Sequence, residues 1–359
     1  MLDLAGDVVD LTAALVDVAS VSGDEAELTG LVDAALRGYP ALTVERDGNV
    51  VVARTELGRE RRLVLAGHLD TVPIADNVPS RIDGPLLHGC GTSDMKAGVA
   101  VLLRVAHLVG TGELDPTVDL TFICYDCEEV EAARNGLGRL ARTRPELLAG
   151  DLAVLLEPTD GVIEGGCQGT LRAEVRVPGV RAHSARSWLG ENAIHAAAPV
   201  LATLAEYAAR EVEVDGLTYR EGLNAVFVRG GVAGNVVPDE CVVTVNFRFA
   251  PDRSEAAALE HVRGVFAGQE VTLVDSAPGA RPGLTGELAR AIVGAVGGRP
   301  RAKLGWTDVA RFGELGIPAV NLGPGDPNLA HKPEEHVVIE RIGATEVALV
   351  NFLRGSTAR

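Results

Sequence analysis

The sequence predicts an α/β protein: a mostly parallel mixed sheet with helices on both faces, into which a smaller α+β domain is inserted. Two observations carry this. Apolar runs such as "RRLVLAGHLD", "VDLTFICYDCEE" and "GDLAVLLEP" alternate with segments of helical spacing, and a continuous apolar run marks a strand buried on both faces. Near Thr170 the pattern changes to "TLRAEVRVPG", "LNAVFVRGG" and "CVVTVNFRFAP", which alternate as half-exposed antiparallel strands do. The first pattern resumes near Pro282. Residues 1–170 and 283–359 are therefore expected to form one domain. Residues 171–282 are expected to form the other, a four-stranded antiparallel sheet with two helices.

Taken in order, Asp7 to Val18 has helical spacing, and Ser22 or Asp24 is placed to cap a second helix running toward Leu36. "LTVERDGNVVVAR" reads as a hairpin turning at Asp47-Gly48-Asn49, and Lys96 to Val109 as a buried helix. In the inserted domain, helices are expected over Asn192 to Arg210 and Ser254 to Phe266, followed by the strand "EVTLVD". After Pro282 come a helix, a strand ending in "IPAVNLGPG" and a closing helix.

Composition excludes several function classes. The net charge is −17, with no basic run, so a nucleic acid would be repelled. The opening "MLDLAGDVVD" is acidic where a secretory leader is basic, and no apolar stretch is long enough to span a bilayer, so a soluble cytoplasmic protein is expected. The cysteines, Cys90, Cys124, Cys127, Cys167 and Cys241, are odd in number and scattered, which reads as reduced thiols rather than a disulfide framework.

The chemistry collects at strand ends. His68, Asp70, Glu128, Glu129 and Glu157 follow apolar strands, Asp94 lies in the loop "GCGTSDMKAG", and His331 returns late in "NLAHKPEE". In a parallel sheet the carboxyl ends of the strands open onto one crevice. Histidines among carboxylates, without cysteine, suit zinc or a similar divalent ion. The number of donors exceeds one tetrahedral site and fits two ions sharing a carboxylate.

The ordered segments "GHLDTVP", "GCGTSDMKAG", "DCEEVEA", "LLEPTD" and "AHKPEE" resemble the M20 metallopeptidases, the aminoacylase and carboxypeptidase G2-like di-zinc amidohydrolases, over nearly the whole chain. The resemblance implies a zinc-peptidase-like catalytic domain with an inserted lid. It implies one ion on His68, Asp94 and Glu157 and a second on Asp94, Glu129 and His331, zinc in each case with cobalt able to substitute. Glu128 would be the general base, and Asp70 would hold the His68 imidazole in one tautomer, as metal-bound histidine requires. His183, in "RAHSA", would be an oxyanion donor delivered by the lid of a partner subunit in a homodimer. A cis peptide between Asp94 and Met95 is also implied.

Within the family, "RAHSARSWLGENAIHAAAPVL", "GNVVPDECVVTVNFRF" and "GWTDVARF" are most similar to the branch that hydrolyses N-succinyl-diaminopimelate, in its actinobacterial form. The substrate would then be a small N-acylated amino acid. Arg248 and Asn235 would hold its carboxylates, with Thr307 and Gly323 completing the pocket. The chain departs from the proteobacterial form at Gln168, where that form has arginine, and in "TDVARF", which replaces a Ser-Asp-Gly run. Other M20 amidohydrolases, such as acetylornithine deacetylases, aminoacylases and dipeptidases, share the same ligands. A binding module on a decayed hydrolase fold would have lost some of them.

Overall fold

Four parallel strands form the centre of the larger sheet. In the computed structural model, which describes residues 2–355, Arg62–His68 pairs in parallel with both Asp119–Tyr125 and Leu152–Leu155, and Ala319–Asn321 pairs in parallel with Leu152–Leu155. The margins are antiparallel: Val50–Arg54 against Asp119–Tyr125, Thr43–Asp47 against Val50–Arg54, and Glu164–Gly165 against Ala319–Asn321. The sheet is thus mixed, with its parallel part at the centre. Every residue of Asp119–Tyr125 is buried, as a strand covered on both faces requires.

The helix Ala97–Gly110 lies against this sheet and is buried along most of its length, in keeping with its nearly all-apolar sequence. The first helix is Val8–Val16, and Asp7 caps it by accepting a hydrogen bond from the Val9 amide. The second is Ala26–Leu36. Neither Ser22 nor Asp24 caps it; Glu25 occupies the cap position without a side-chain cap bond, and Ser22 donates instead to Asp70 Oδ2 at 2.7 Å. The 43–54 hairpin turns through Gly48 and Asn49, with Gly48 at φ 61°.

By its contacts the chain divides into two units: Met1–Gly166 with Pro282–Arg301 and Thr307–Arg359, and Cys167–Arg281 with Ala302–Trp306. The second unit contains a four-stranded antiparallel sheet in the order Gly222–Gly230, Glu240–Phe249, Gly169–Pro178, Glu270–Ala277. One face carries Leu171, Ala173, Val175 and Val177 beside Val243, Val245, Phe247 and Phe249, packed with Ala258 and Val262 of the helix Glu255–Val265. The period-two pattern in the sequence generates that apolar face.

Two expectations for this unit need correction. The helix expected over Asn192 to Arg210 is broken into Ala193–Ala196 and Ala198–Ala205. Pro199, in the first turn of the second piece, has no amide hydrogen to continue the ladder to residue 195. The residues after it form an additional hairpin, Glu211–Val214 with Leu217–Arg220, turning through Asp215 and Gly216 at φ 48° and 84°. The Asp-Gly pair between alternating residues is a turn signal that would have located it. Among the described residues no helix is long and apolar enough to cross a membrane.

Candidate metal centre

The carboxyl ends of the central strands bring the candidate residues of the larger unit together. His68 is the last residue of its strand and is fully buried. Its Nδ1 lies 3.0 Å from the Asp70 carbonyl oxygen and 3.4 Å from Asp70 Oδ1, and its Nε2 lies 3.1 Å from Asp94 Oδ1. A proton on Nδ1 donated to the Asp70 carbonyl leaves Nε2 as the donor atom facing Asp94. Asp94 precedes a cis peptide to Met95, just ahead of the Ala97–Gly110 helix.

The two oxygens of Asp94 face different histidines. Oδ1 is toward His68, while Oδ2 is 3.5 Å from His331 Nε2, which also lies 2.9 Å from Glu129 Oε1. Two donor trios result: His68, Asp94 and Glu157, and Asp94, Glu129 and His331, each with its donor atoms within 4.8 Å of one another. Asp94 belongs to both.

Asp70 does more than face the imidazole. Its Oδ1 accepts the amide of Glu128 and its Oδ2 the amide of Glu129, both at 3.0 Å, in addition to the Ser22 hydroxyl. One carboxylate therefore fixes the backbone of two adjacent acidic residues. Their side chains leave that backbone in different directions: Glu129 toward His331, and Glu128 within reach of His68.

The charges are those of a site built for cations. Burial pushes the Glu128 carboxyl well above its ordinary range, and the charges of Glu157, Asp308 and Glu129 add to this against the opposing pull of His68. Glu129 is raised for similar reasons, burial first. Although burial opposes it, hydrogen bonds from the two histidines hold Asp94 low, and His331 is raised to about 10 by Asp94 and Glu129. Asp94 and Glu129 face imidazoles rather than arginine or lysine. A set of imidazole nitrogens and carboxylate oxygens suits divalent cations.

Comparison with known proteins places the chain in a family. Residues 64–354 match the family model described as peptidase family M20/M25/M40. The chain belongs to this hydrolase family. A Corynebacterium glutamicum protein named succinyl-diaminopimelate desuccinylase is 51% identical over 358 residues, covering 97% of this chain and 96% of its own. A Mycobacterium tuberculosis protein, provisionally named succinyl-diaminopimelate desuccinylase DapE, is 57% identical over 358 residues, covering 99% of this chain and all of its own. Among solved structures, a Staphylococcus aureus tripeptidase has a TM-score of 0.80 at 21% identity, with 99% and 98% of the two chains covered. A dinuclear metal-binding M20 peptidase from Bacillus subtilis has a TM-score of 0.72 at 18% identity, with 97% and 96% covered. At these identities the structural likenesses concern the fold.

The remaining candidates divide between the units. In the larger unit, Thr307 is buried and its hydroxyl donates to Asn321 Oδ1 at 2.9 Å. The Gly323 amide donates to Thr159 Oγ1, and a Cβ at this glycine would stand 2.4 Å from the carbonyl oxygens of Leu156 and Glu157. The absence of a side chain there is what lets the Glu157 backbone pass. In the smaller unit, His183 is exposed and its Nδ1 accepts the Ala185 amide at 3.0 Å, which places the proton of a neutral ring on Nε2. Arg248 is half-buried on the Glu240–Phe249 strand, and burial lowers its guanidinium pKa. The main-chain oxygen of Asn235 accepts the amide of Ser184, one residue after His183.

Sequence reasoning missed three buried carboxylates behind this layer. Glu335 accepts the amides of Gly91, Ser93 and Asp94. Glu25 accepts those of Gly23 and Cys127. Asp308 binds Asn135 and Arg311. Glu335 lay within "AHKPEE" and Asp308 within "GWTDVARF", but nothing local distinguishes them from surface acids. All five cysteines are buried and none is in a disulfide.

A divalent ion entering between Asp94, Glu129 and His331 must displace the His331 proton. That proton is held in full below the ordinary histidine value near 6.5 and is lost as pH rises through about 10. Zinc uptake by metal-stripped protein at pH 8 is therefore expected to release a proton from this group. Affinity at this position should rise with pH until about 10. Calorimetry in buffers of differing ionisation enthalpy measures both.

Proposed function

We propose that the protein is a cytoplasmic, two-metal amidohydrolase that cleaves N-succinyl-LL-2,6-diaminopimelate to succinate and LL-2,6-diaminopimelate, a step of diaminopimelate and lysine biosynthesis. The observation that carries the reaction type is the pair of donor trios sharing Asp94, with the Glu128 carboxyl beside them. The names of the relatives that are 51% and 57% identical over nearly full length support the substrate.

His68, Asp94 and Glu157 would hold one ion, and Asp94, Glu129 and His331 the other. Zinc fits these donors best, with cobalt an acceptable substitute. Two such cations supply Lewis-acid activation of a water molecule and of the amide carbonyl. Glu128 accepts a proton from that water as its oxygen bonds to the carbonyl carbon. The same carboxyl then delivers the proton to the amide nitrogen, and the carbon–nitrogen bond breaks. Burial raises its pKa, the direction that favours accepting the proton. Asp70 keeps this base in place through the Glu128 and Glu129 amides.

His183 donates from Nε2 to the oxyanion of the tetrahedral intermediate. Arg248 offers a planar fork to a substrate carboxylate, and its partial burial strengthens such a pair. Asn235 shares in that recognition. Thr307 and Gly323 complete the pocket, Gly323 by keeping its wall free of a side chain.

The larger unit is the catalytic domain, and the smaller unit, Cys167–Arg281 with Ala302–Trp306 where the sequence suggested 171–282, is the lid and the dimerisation surface. Its edge strand Gly222–Gly230 exposes Val226, Phe227 and Val228 to 45%, 68% and 52%. An apolar edge strand of this kind invites pairing with a second copy. The lid of one subunit then delivers His183 to the site of the other.

The reading is tested by incubating the zinc-loaded protein with N-succinyl-diaminopimelate, acetylornithine and dipeptides. The first should be hydrolysed preferentially, and a chelator should abolish turnover. Preference for another amide would overturn the substrate, and chelator-resistant hydrolysis the metal dependence.

Glu128→Gln should retain both metal ions and bind substrate while kcat falls by about 10²–10⁴-fold, since an amide cannot take the proton of water. Loss of an ion instead would mean that Glu128 and Glu129 have exchanged roles.

Mixing Glu128→Ala with His183→Ala subunits should restore activity. If His183 acts in trans, the mixed dimer has one site with both groups intact. Inactivity of verified mixed dimers would assign His183 to its own chain.

A further inference from the structure

We infer that Glu335 is a positioning residue for the metal pair: its carboxylate sets the main chain that presents Asp94 and ties it to the segment that presents His331. The inference rests on the reading that these two side chains bind metal. Glu335 is 2% exposed, and its carboxylate is in neither donor trio. Its Oε1 accepts the amides of Ser93 and Asp94 at 2.8 and 2.9 Å, and Oε2 accepts that of Gly91 at 2.8 Å.

The stitching extends beyond the carboxylate. The Glu335 carbonyl accepts the Gly89 amide at 3.2 Å, and the Ser93 hydroxyl donates to the His336 carbonyl at 2.8 Å. His336–Val338 then pairs with Leu86–His88. On its other side, the Glu335 amide closes a turn onto the Lys332 carbonyl at 3.0 Å, one residue after His331. His331 itself has a φ of 65°, a conformation that a non-glycine residue keeps only where its surroundings hold it. Asp94 and His331, more than two hundred residues apart in sequence, are thus fixed through one buried side chain.

The side chain suits the task chemically. Three amide hydrogens converge on two oxygens, which an ionised carboxylate accepts without conflict. Glutamine could keep the Ser93 and Asp94 bonds through its single oxygen, but its NH2 group would oppose the Gly91 amide. Alanine would keep none. By contrast, His68 ends a central strand, and the backbone at Glu157 lies against Gly323. Neither of these two depends on Glu335, so the His68–Asp94–Glu157 position is reached only through Asp94, whereas the other is reached through both Asp94 and the segment bearing His331.

The test is titration of chelator-stripped, full-length protein with Zn2+ by calorimetry and with Co2+ by visible absorption. Wild-type protein should bind two ions. In Glu335→Ala the Asp94–Glu129–His331 position should lose about 10–100-fold in affinity, the range for partners that orient metal ligands. The His68–Asp94–Glu157 position should lose distinctly less. Glu335→Gln should fall between wild type and alanine at the first position and shift the spectrum of the cobalt bound there. A general scaffold role would lower the melting temperature without separating the two affinities, so equal weakening at both positions overturns the inference. Wild-type affinities in both variants overturn it as well. Should the alanine variant fail to fold, an unchanged cobalt spectrum and affinity in Glu335→Gln overturns it alone. Wild-type protein that binds no more than one ion would overturn the two-metal reading, and this inference with it.

Discussion

The carboxylate of Asp94, with one oxygen toward His68 and the other toward His331, is the interaction on which the site depends. A single carboxylate between two imidazoles creates two adjoining donor sets from residues on five separate segments. The same geometry concentrates acid in a buried place, which is unfavourable unless positive charge is supplied. The carboxylates raise the pKa of both histidines, and burial raises Glu128 and Glu129. The electrostatic demand and the proposed chemistry have one origin.

Holding so many like charges together requires a rigid backbone, and the chain obtains it from buried carboxylates that accept main-chain amides. Asp70 fixes Glu128 and Glu129, Glu25 takes the Cys127 amide just before them, and Glu335 fixes the turn bearing Asp94. Amide donors favour the charged form of such a carboxylate, although at Glu335 burial and the nearby Asp94 outweigh its three amides and raise its pKa to about 7. Asp70 shows the opposite balance: despite burial, the bonds from His68, Ser22 and the Glu128 amide bring its pKa down to about 2. Glycines complete the support, since the Glu157 backbone passes where a side chain on Gly323 would stand.

The smaller unit follows a different physical logic. Its sheet buries one face under helices and exposes an edge strand, so its stability comes from alternation rather than from strands covered on both sides. Its charges also behave differently. Most of its arginines sit in exposed ion pairs, such as Arg172 with Asp275 and Arg229 with Glu174, which contribute little to stability. Arg248 instead is half-buried on a strand, and desolvation lowers its pKa. That contrast is why it, rather than the surface arginines, enters the proposed recognition of a carboxylate.

By itself the sequence determined the architecture and the identities of the acids and histidines at strand ends. Both are written locally: in the apolar runs ending at His68 and Tyr125, in the alternation through Leu171 to Val177, and in short segments such as "DCEEVEA". Local signals were also present, though unread, for the break at Pro199 and the Asp215-Gly216 turn. Tertiary structure alone decided which acids face the histidines and which hold the backbone behind them. Ser22 reads as a helix cap until Asp70 is brought beside it, and Glu335 reads as a surface acid until the chain returns to place it under Ser93 and Asp94. The reason is physical: a carboxylate's role depends on which donors and charges surround it, and here those partners come from segments far apart in the chain.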